Sequence, residues 1–229
     1  MIENIVPESA LVNEKLKEEL ISFFHKLEEE IILKAVIDME KEKGRELAGF
    51  LAVIATLNKK IHFEAYSEKE RECVPELDAT YLPVVGMYKD GKYAGVAFHG
   101  VPGGQEINSF VLAMYNLAGP GQEISCQTIK EIQKLKKTNI KICVSLSCHY
   151  CPKVVTACQR IAILNNEIEG EMLDASLYEE LISKFKIERV PLMIINDQDV
   201  YAGSKTMEEI IEIIKNSEKN NETYTHCTK

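Results

Sequence analysis

The segment Ile140-Lys141-Ile142-Cys143-Val144-Ser145-Leu146-Ser147-Cys148-His149-Tyr150-Cys151-Pro152-Lys153-Val154-Val155 decides how this chain reads. Residues 140–145 are short, apolar and partly β-branched, which suits a strand. Over 151–164 apolar residues return at helical spacing, and Pro152 falls in the first turn, where a missing N–H is tolerated. Cys148 and Cys151 therefore sit where a strand hands over to a helix. Their i, i+3 spacing puts both sulfurs on one side of the first turn, close enough to close a disulfide. Unpaired N–H groups and partial positive charge at a helix start favour a thiolate on Cys148, the attacking nucleophile. Cys151 is then the resolving thiol.

Outward from this segment one order of elements occurs twice. In the first copy, Leu11, Leu16, Leu20, Phe23, Phe24 and Leu27 mark a helix. A strand at 33–38, a helix at 45–57, a strand at 61–65 and a loop through Cys73 and Pro75 follow. Strands at 84–88 and 93–98 flank Asp90-Gly91, a strong hairpin signal. A helix through Leu112, Met114, Tyr115 and Leu117 stops at Gly119-Pro120-Gly121. The second copy reads helix 125–137, strand 140–145, helix 151–164, strand 167–173, helix 177–185, a hairpin 192–195 and 200–201, and helix 208–214. Two units of roughly 100 residues, each α/β, are expected to meet near Gly119-Pro120-Gly121. Leu82-Pro83 and Val190-Pro191 open the two hairpins; local sequence alone favours a trans proline at a strand start. Residues from 216 onward are polar and expected to fray.

Hydrophobic residues make up 45% and charged residues 28%, as in an ordinary globular protein. A net charge of −9 argues against a nucleic-acid binder that relies on phosphate contacts. The start, Met1-Ile2-Glu3-Asn4-Ile5, shows no signal-peptide pattern, and the most apolar run, 47–57, is too short to span a bilayer. The expectation is a cytoplasmic protein with no membrane partner. The seven cysteines (Cys73, Cys126, Cys143, Cys148, Cys151, Cys158 and Cys227) show no framework spacing, which favours free thiols plus one functional pair.

Two other uses of that pair stand beside the redox reading. Zinc or an iron–sulfur cluster needs four ligands, and no second Cys-x-x-Cys or His-x-x-x-His accompanies the first. The two cysteines could also be inert core residues. Cys158, two turns beyond Cys151, and Cys143, within the strand, read as core thiols; Cys73 and Cys227 read as loop and tail thiols. His149 is either an electrostatic neighbour of the pair or a solvent-facing residue. Gly103-Gly104, ahead of a helix, reads as a plain turn more readily than as an anion site.

Ser145-Leu146-Ser147-Cys148-His149-Tyr150-Cys151-Pro152, followed by Val154-Val155, resembles the active-site segment of the N-terminal domain of the alkyl hydroperoxide reductase flavoprotein subunit. Val101-Pro102-Gly103-Gly104-Gln105-Glu106 and Ser109-Phe110-Val111-Leu112 resemble that domain's first half, and Val190-Pro191 its active-site proline step. The resemblance implies an α/β protein of two tandem thioredoxin-like folds, with mixed central sheets flanked by helices. Residues 1–120 would form the fold without active-site cysteines, 121–216 the fold with Cys-x-x-Cys, and 217–229 a polar tail. It further implies a cis peptide at Val190-Pro191 and a role for Glu106 near the dithiol, where a buried carboxylate would take up or hold a proton. The competing reading of Glu106 is an acidic residue in a helix first turn.

Members of that family continue into FAD- and NADH-binding domains, whereas no GxGxxG occurs here, so no flavin or nicotinamide cofactor is expected, and with only two of four ligands at hand no metal is expected either. The implied function is a dithiol–disulfide oxidoreductase passing electrons from a separate thioredoxin-reductase-like flavoprotein to a peroxiredoxin or other protein disulfide. The catalytic set would be Cys148, Cys151, Glu106 and Pro191. Alternatives are a disulfide oxidase or isomerase, a metal or cluster carrier using the same pair, and an adaptor whose first half docks partners.

Overall fold

The computed structural model describes residues 1–226; Cys227 and the two residues after it lie outside the described residues. The first half runs α1 (Glu14–Phe24), β1 (Ile31–Val36), α2 (Glu42–Thr56), β2 (Ile61–Tyr66), β3 (Val84–Lys89), β4 (Lys92–His99) and α3 (Ile107–Ala118). The second runs α4 (Cys126–Ile132), β5 (Thr138–Val144), α5 (Cys151–Leu164), β6 (Ile168–Asp174), α6 (Glu179–Phe185), β7 (Leu192–Ile195), β8 (Asp199–Ala202) and α7 (Met207–His226). Where the second half has α6, the first has a short 3-10 turn, Glu68–Cys73. Local chemistry accounts for many of these boundaries. Asn13 accepts from Leu16 N at 2.9 Å and caps α1, and Ser125 accepts from Thr128 N at 3.0 Å and caps α4. Asp90-Gly91 and Asn196-Asp197 all have positive φ, the geometry of tight hairpin turns.

The strands form one eight-stranded sheet in the order β2-β1-β3-β4-β6-β5-β7-β8. Each half contributes the same pattern, one parallel pair followed by two antiparallel ones. The mixed sheets of the two halves join edge to edge: β4 and β6 pair in parallel, from Val96 opposite Gly170 to His99 opposite Leu173. Left apart, each half would end in a row of unpaired N–H and C=O groups, and joining the two edges satisfies both.

One large core runs across the seam on a single face of the sheet and takes in side chains from α1, α2, α3, α5 and α7. Phe110 of α3 stands edge-on to Phe50 of α2 at 5.5 Å and to Phe98 of β4 at 5.3 Å. All three are fully buried, each contributing about 2–3 kcal/mol of hydrophobic stabilisation. Arg160 of α5 also reaches across, donating to Asn116 O and Gln122 O at 3.0 Å each, and so pins the connection around Gly121. The last helix continues past the expected stop at 214 to His226. Ser217 donates to Asp199 Oδ2 at 2.9 Å and is buried, which ties down a turn that has no apolar face of its own.

Candidate active site

α5 begins at Cys151 with Pro152 in its first turn, as the pattern of residues required. Cys148 N donates to Ser145 O at 2.9 Å, closing a turn that delivers Cys148 to the mouth of the helix start. Cys148 is half-buried and Cys151 fully buried, so only the first thiol is open to a partner. Burial pushes the Cys151 thiol well above the ordinary range, and its hydrogen bond with Cys148 and the nearby charge of Glu106 act in the same direction. Cys148 Sγ donates to Val190 O at 3.9 Å. Val190-Pro191 is a cis peptide, as the resemblance implied. Leu82-Pro83 is cis as well, against the trans form that local sequence favoured; at an X-Pro step the tertiary amide leaves only a small trans preference to overcome.

Glu106 arrives from the other half. The 3-10 turn Gly104–Glu106 docks on the loop ahead of Cys148, where Gln105 N donates to Leu146 O at 2.9 Å. Gly104 makes this approach possible: it has φ +55°, and a Cβ there would lie 2.4 Å from Leu146 O. Gly103 faces Leu11 and Leu146, so the glycine pair serves a packed turn. Gly104→Ala is expected to cost about 2 kcal/mol or more, read by denaturant unfolding, because strain and a backbone clash coincide.

Glu106 occupies the N-cap position of α3 without a side-chain capping bond, and it is fully buried. Its Oε2 contacts Ser109 Oγ, while Oε1 has no protein partner. Burial raises its carboxyl to about 7, opposed by the Ser109 hydrogen bond and aided by the charge of Asp174 at the end of β6. Asp174 and Ser109 belong to this environment, and neither stood out in the sequence. Ser109 lay in a quoted segment without a role, and Asp174 simply follows an expected strand.

The remaining thiols divide by exposure. Cys158 is buried, with Sγ 3.7 Å from Met193 Sδ, and burial pushes it far up. Cys143 packs on the opposite face of the sheet and is pushed up to about 12 by burial. Cys73 and Cys126 are exposed. His149 is exposed and Tyr150 retains 70% exposure, so both residues between the cysteines face solvent. Among the described residues no group of three or more His, Cys, Asp or Glu side chains is gathered as a metal ion would need. No described helix is long and apolar enough to cross a membrane.

A thioredoxin-domain family model matches residues 138–215. The structure of the alkylhydroperoxide reductase AhpF from Enterococcus faecalis superposes with a TM-score of 0.84 at 40% identity, covering 89% of this chain and 99% of that one. A curated relative, the alkyl hydroperoxide reductase AhpF of Pseudomonas putida, is 29% identical over 88% of this chain, which spans 37% of that relative's length. A protein disulfide oxidoreductase from Aeropyrum pernix shares the fold, with a TM-score of 0.82 at 19% identity.

Proposed function

Since the chain belongs to the AhpF family of alkyl hydroperoxide reductases, in its N-terminal thioredoxin-like part, and is a thiol–disulfide oxidoreductase, we propose that it relays electrons through Cys148 and Cys151 to a protein disulfide in peroxide defence. The observation that carries this reading is the asymmetry of the pair: one reachable thiol held beside Val190 O, and one buried thiol behind it. Cys148 thiolate attacks a substrate disulfide, forming a mixed disulfide and releasing the first substrate thiolate. Cys151 then attacks Cys148 Sγ, and the second substrate thiolate leaves. Two electrons pass to the substrate and a Cys148–Cys151 disulfide remains.

The second step needs a base, because Cys151 is buried and its thiol is hard to ionise. Glu106 supports that role. Its carboxyl titrates near neutrality, and its Oε1 is free to accept the proton. Pro191 shapes the wall that faces Cys148. In this division of labour residues 121–216 carry the exchange, while residues 1–120 supply Glu106 and a surface for partners. The finer reading is a cytoplasmic relay that takes electrons from a separate thioredoxin-reductase-like flavoprotein and hands them to a peroxiredoxin.

A redox titration with thiols counted by alkylation and mass spectrometry tests the proposal. The expected result is one two-electron transition confined to Cys148 and Cys151. A midpoint near about −270 mV fits a reductant, and one near about −120 to −180 mV an oxidase or isomerase. No reversible disulfide, together with stoichiometric metal in the purified protein, would transfer the pair to metal binding.

A further inference from the structure

We propose that His99 and Glu171 are a positioning pair, clamping the seam between the two halves so that Glu106 stays against the dithiol; this rests on the reading of Glu106 given above. His99 ends β4 in the first half and Glu171 lies in β6 of the second, 72 residues away. Both are buried. His99 Nε2 lies 2.9 Å from Glu171 Oε2, and Nδ1 lies 2.8 Å from Tyr81 O. A main-chain carbonyl only accepts, so Nδ1 donates to it. Burial raises the Glu171 carboxyl, but the His99 hydrogen bond and charge, with Lys141 and the Asn139 amide, outweigh burial and the net direction is down. Both ring nitrogens are thus engaged, Nδ1 within the first half and Nε2 across the seam on the Glu171 carboxylate.

The rest of the pair's surroundings is fixed too. Asn139 of β5 donates to both Glu171 Oε1 and Glu169. Lys141 of β5 pairs with Asp197 at 3.0 Å and Asp78 at 3.6 Å. The Tyr81 ring meets His99 edge-on at 6.1 Å and Tyr178 at 5.2 Å, and the Tyr93 hydroxyl responds to the Glu171 charge.

This anchor leads directly to the site. After His99, Gly100 turns with φ +98° and donates to Pro83 O at 2.8 Å. A Cβ on Gly100 would lie 3.2 Å from Asp174 Cβ and 2.9 Å from Leu177, so the ends of β4 and β6 touch with no room between them. Gln105 then bonds to Leu146 O, and Glu106 follows, bonded to Ser109, with the charge of Asp174 acting on it and its own acting on Cys151. The loop carrying Glu106 is thus tied to the second half at both ends, by His99 and by Gln105.

The test compares Glu171→Ala with Glu171→Gln, which retains an acceptor for His99. The readouts are the pH profile of insulin-disulfide reduction and the hydrogen exchange of the Gln105 amide. For Glu171→Ala the pH at which the rate rises should fall by about one unit, as water reaches Glu106. Gln105 exchange should accelerate about tenfold or more, and Glu171→Gln should restore both readouts. If Glu171→Ala does not fold, His99→Leu carries the same comparison. A folded variant that loses only thermal stability, with both readouts unchanged, overturns the proposal. Glu106→Gln in the otherwise native protein is the control: a wild-type pH profile there removes the reading of Glu106, while Gln105 protection still reports on the clamp.

Discussion

Replacing Cys148 by serine is expected to slow reduction of a protein disulfide by at least about 10³-fold, whereas Cys151→Ser should accumulate a mixed disulfide. A serine hydroxyl hardly ionises near neutral pH and is a poor nucleophile toward a disulfide sulfur. Cys151 cannot take over the attack, because it is fully buried while Cys148 is open at the mouth of α5. In Cys151→Ser the first attack proceeds and the second has no thiol, so the covalent complex persists and is visible by mass spectrometry. Insulin or a peroxiredoxin disulfide serves as substrate. A Cys148→Ser protein that reduces either at the wild-type rate would remove Cys148 from the role given to it. Trapping by Cys148→Ser in place of Cys151→Ser would reverse the two assignments.

Glu106→Gln should separate stability from activity. The ordinary carboxyl value is 4.5, and burial raises that of Glu106 to about 7. Between those values the folded protein holds a proton that the unfolded chain has lost, so stability falls as pH rises through that window. Above it the folded state carries a buried charge, a penalty on the order of 3 kcal/mol from the size of the shift. Glu106→Gln has no such charge. It should be more stable than the native protein at pH 8 by about 2–3 kcal/mol, with no such advantage near pH 4. Denaturant unfolding at the two pH values checks this; an equal gain at both would mean that Glu106 is not the group titrating. Resolution of the mixed disulfide should slow about 10²-fold at pH 8, because Cys151 loses its proton acceptor. A more stable but slower enzyme is the expected signature.

Much of this molecule is local and was legible as such. A short apolar run, a three-residue cysteine spacing and a proline in the first turn describe Cys148 and Cys151 without reference to distant residues, and α5 spans the expected 151–164. Asp90-Gly91 announces its hairpin because few residues accept positive φ. Other features had no local trace. Leu82-Pro83 is cis where local sequence favoured trans, and beyond residue 214 α7 is tied down by Ser217 on Asp199. The resemblance named Glu106, yet nothing near it in the chain tells a buried proton acceptor from an exposed acid at a helix start.

The sequence by itself determined a twice-repeated order of α/β elements and a pair of cysteines at a helix start. The tertiary structure alone decided that β4 meets β6, so that the strands of both halves form one sheet. It also decided that the charge of Glu106 is felt at Cys151, and that His99 finds Glu171 across the seam. The reason is physical. Periodicity and turn chemistry act within a few residues, whereas the pairing of two strand edges depends on what both faces of the whole sheet must bury.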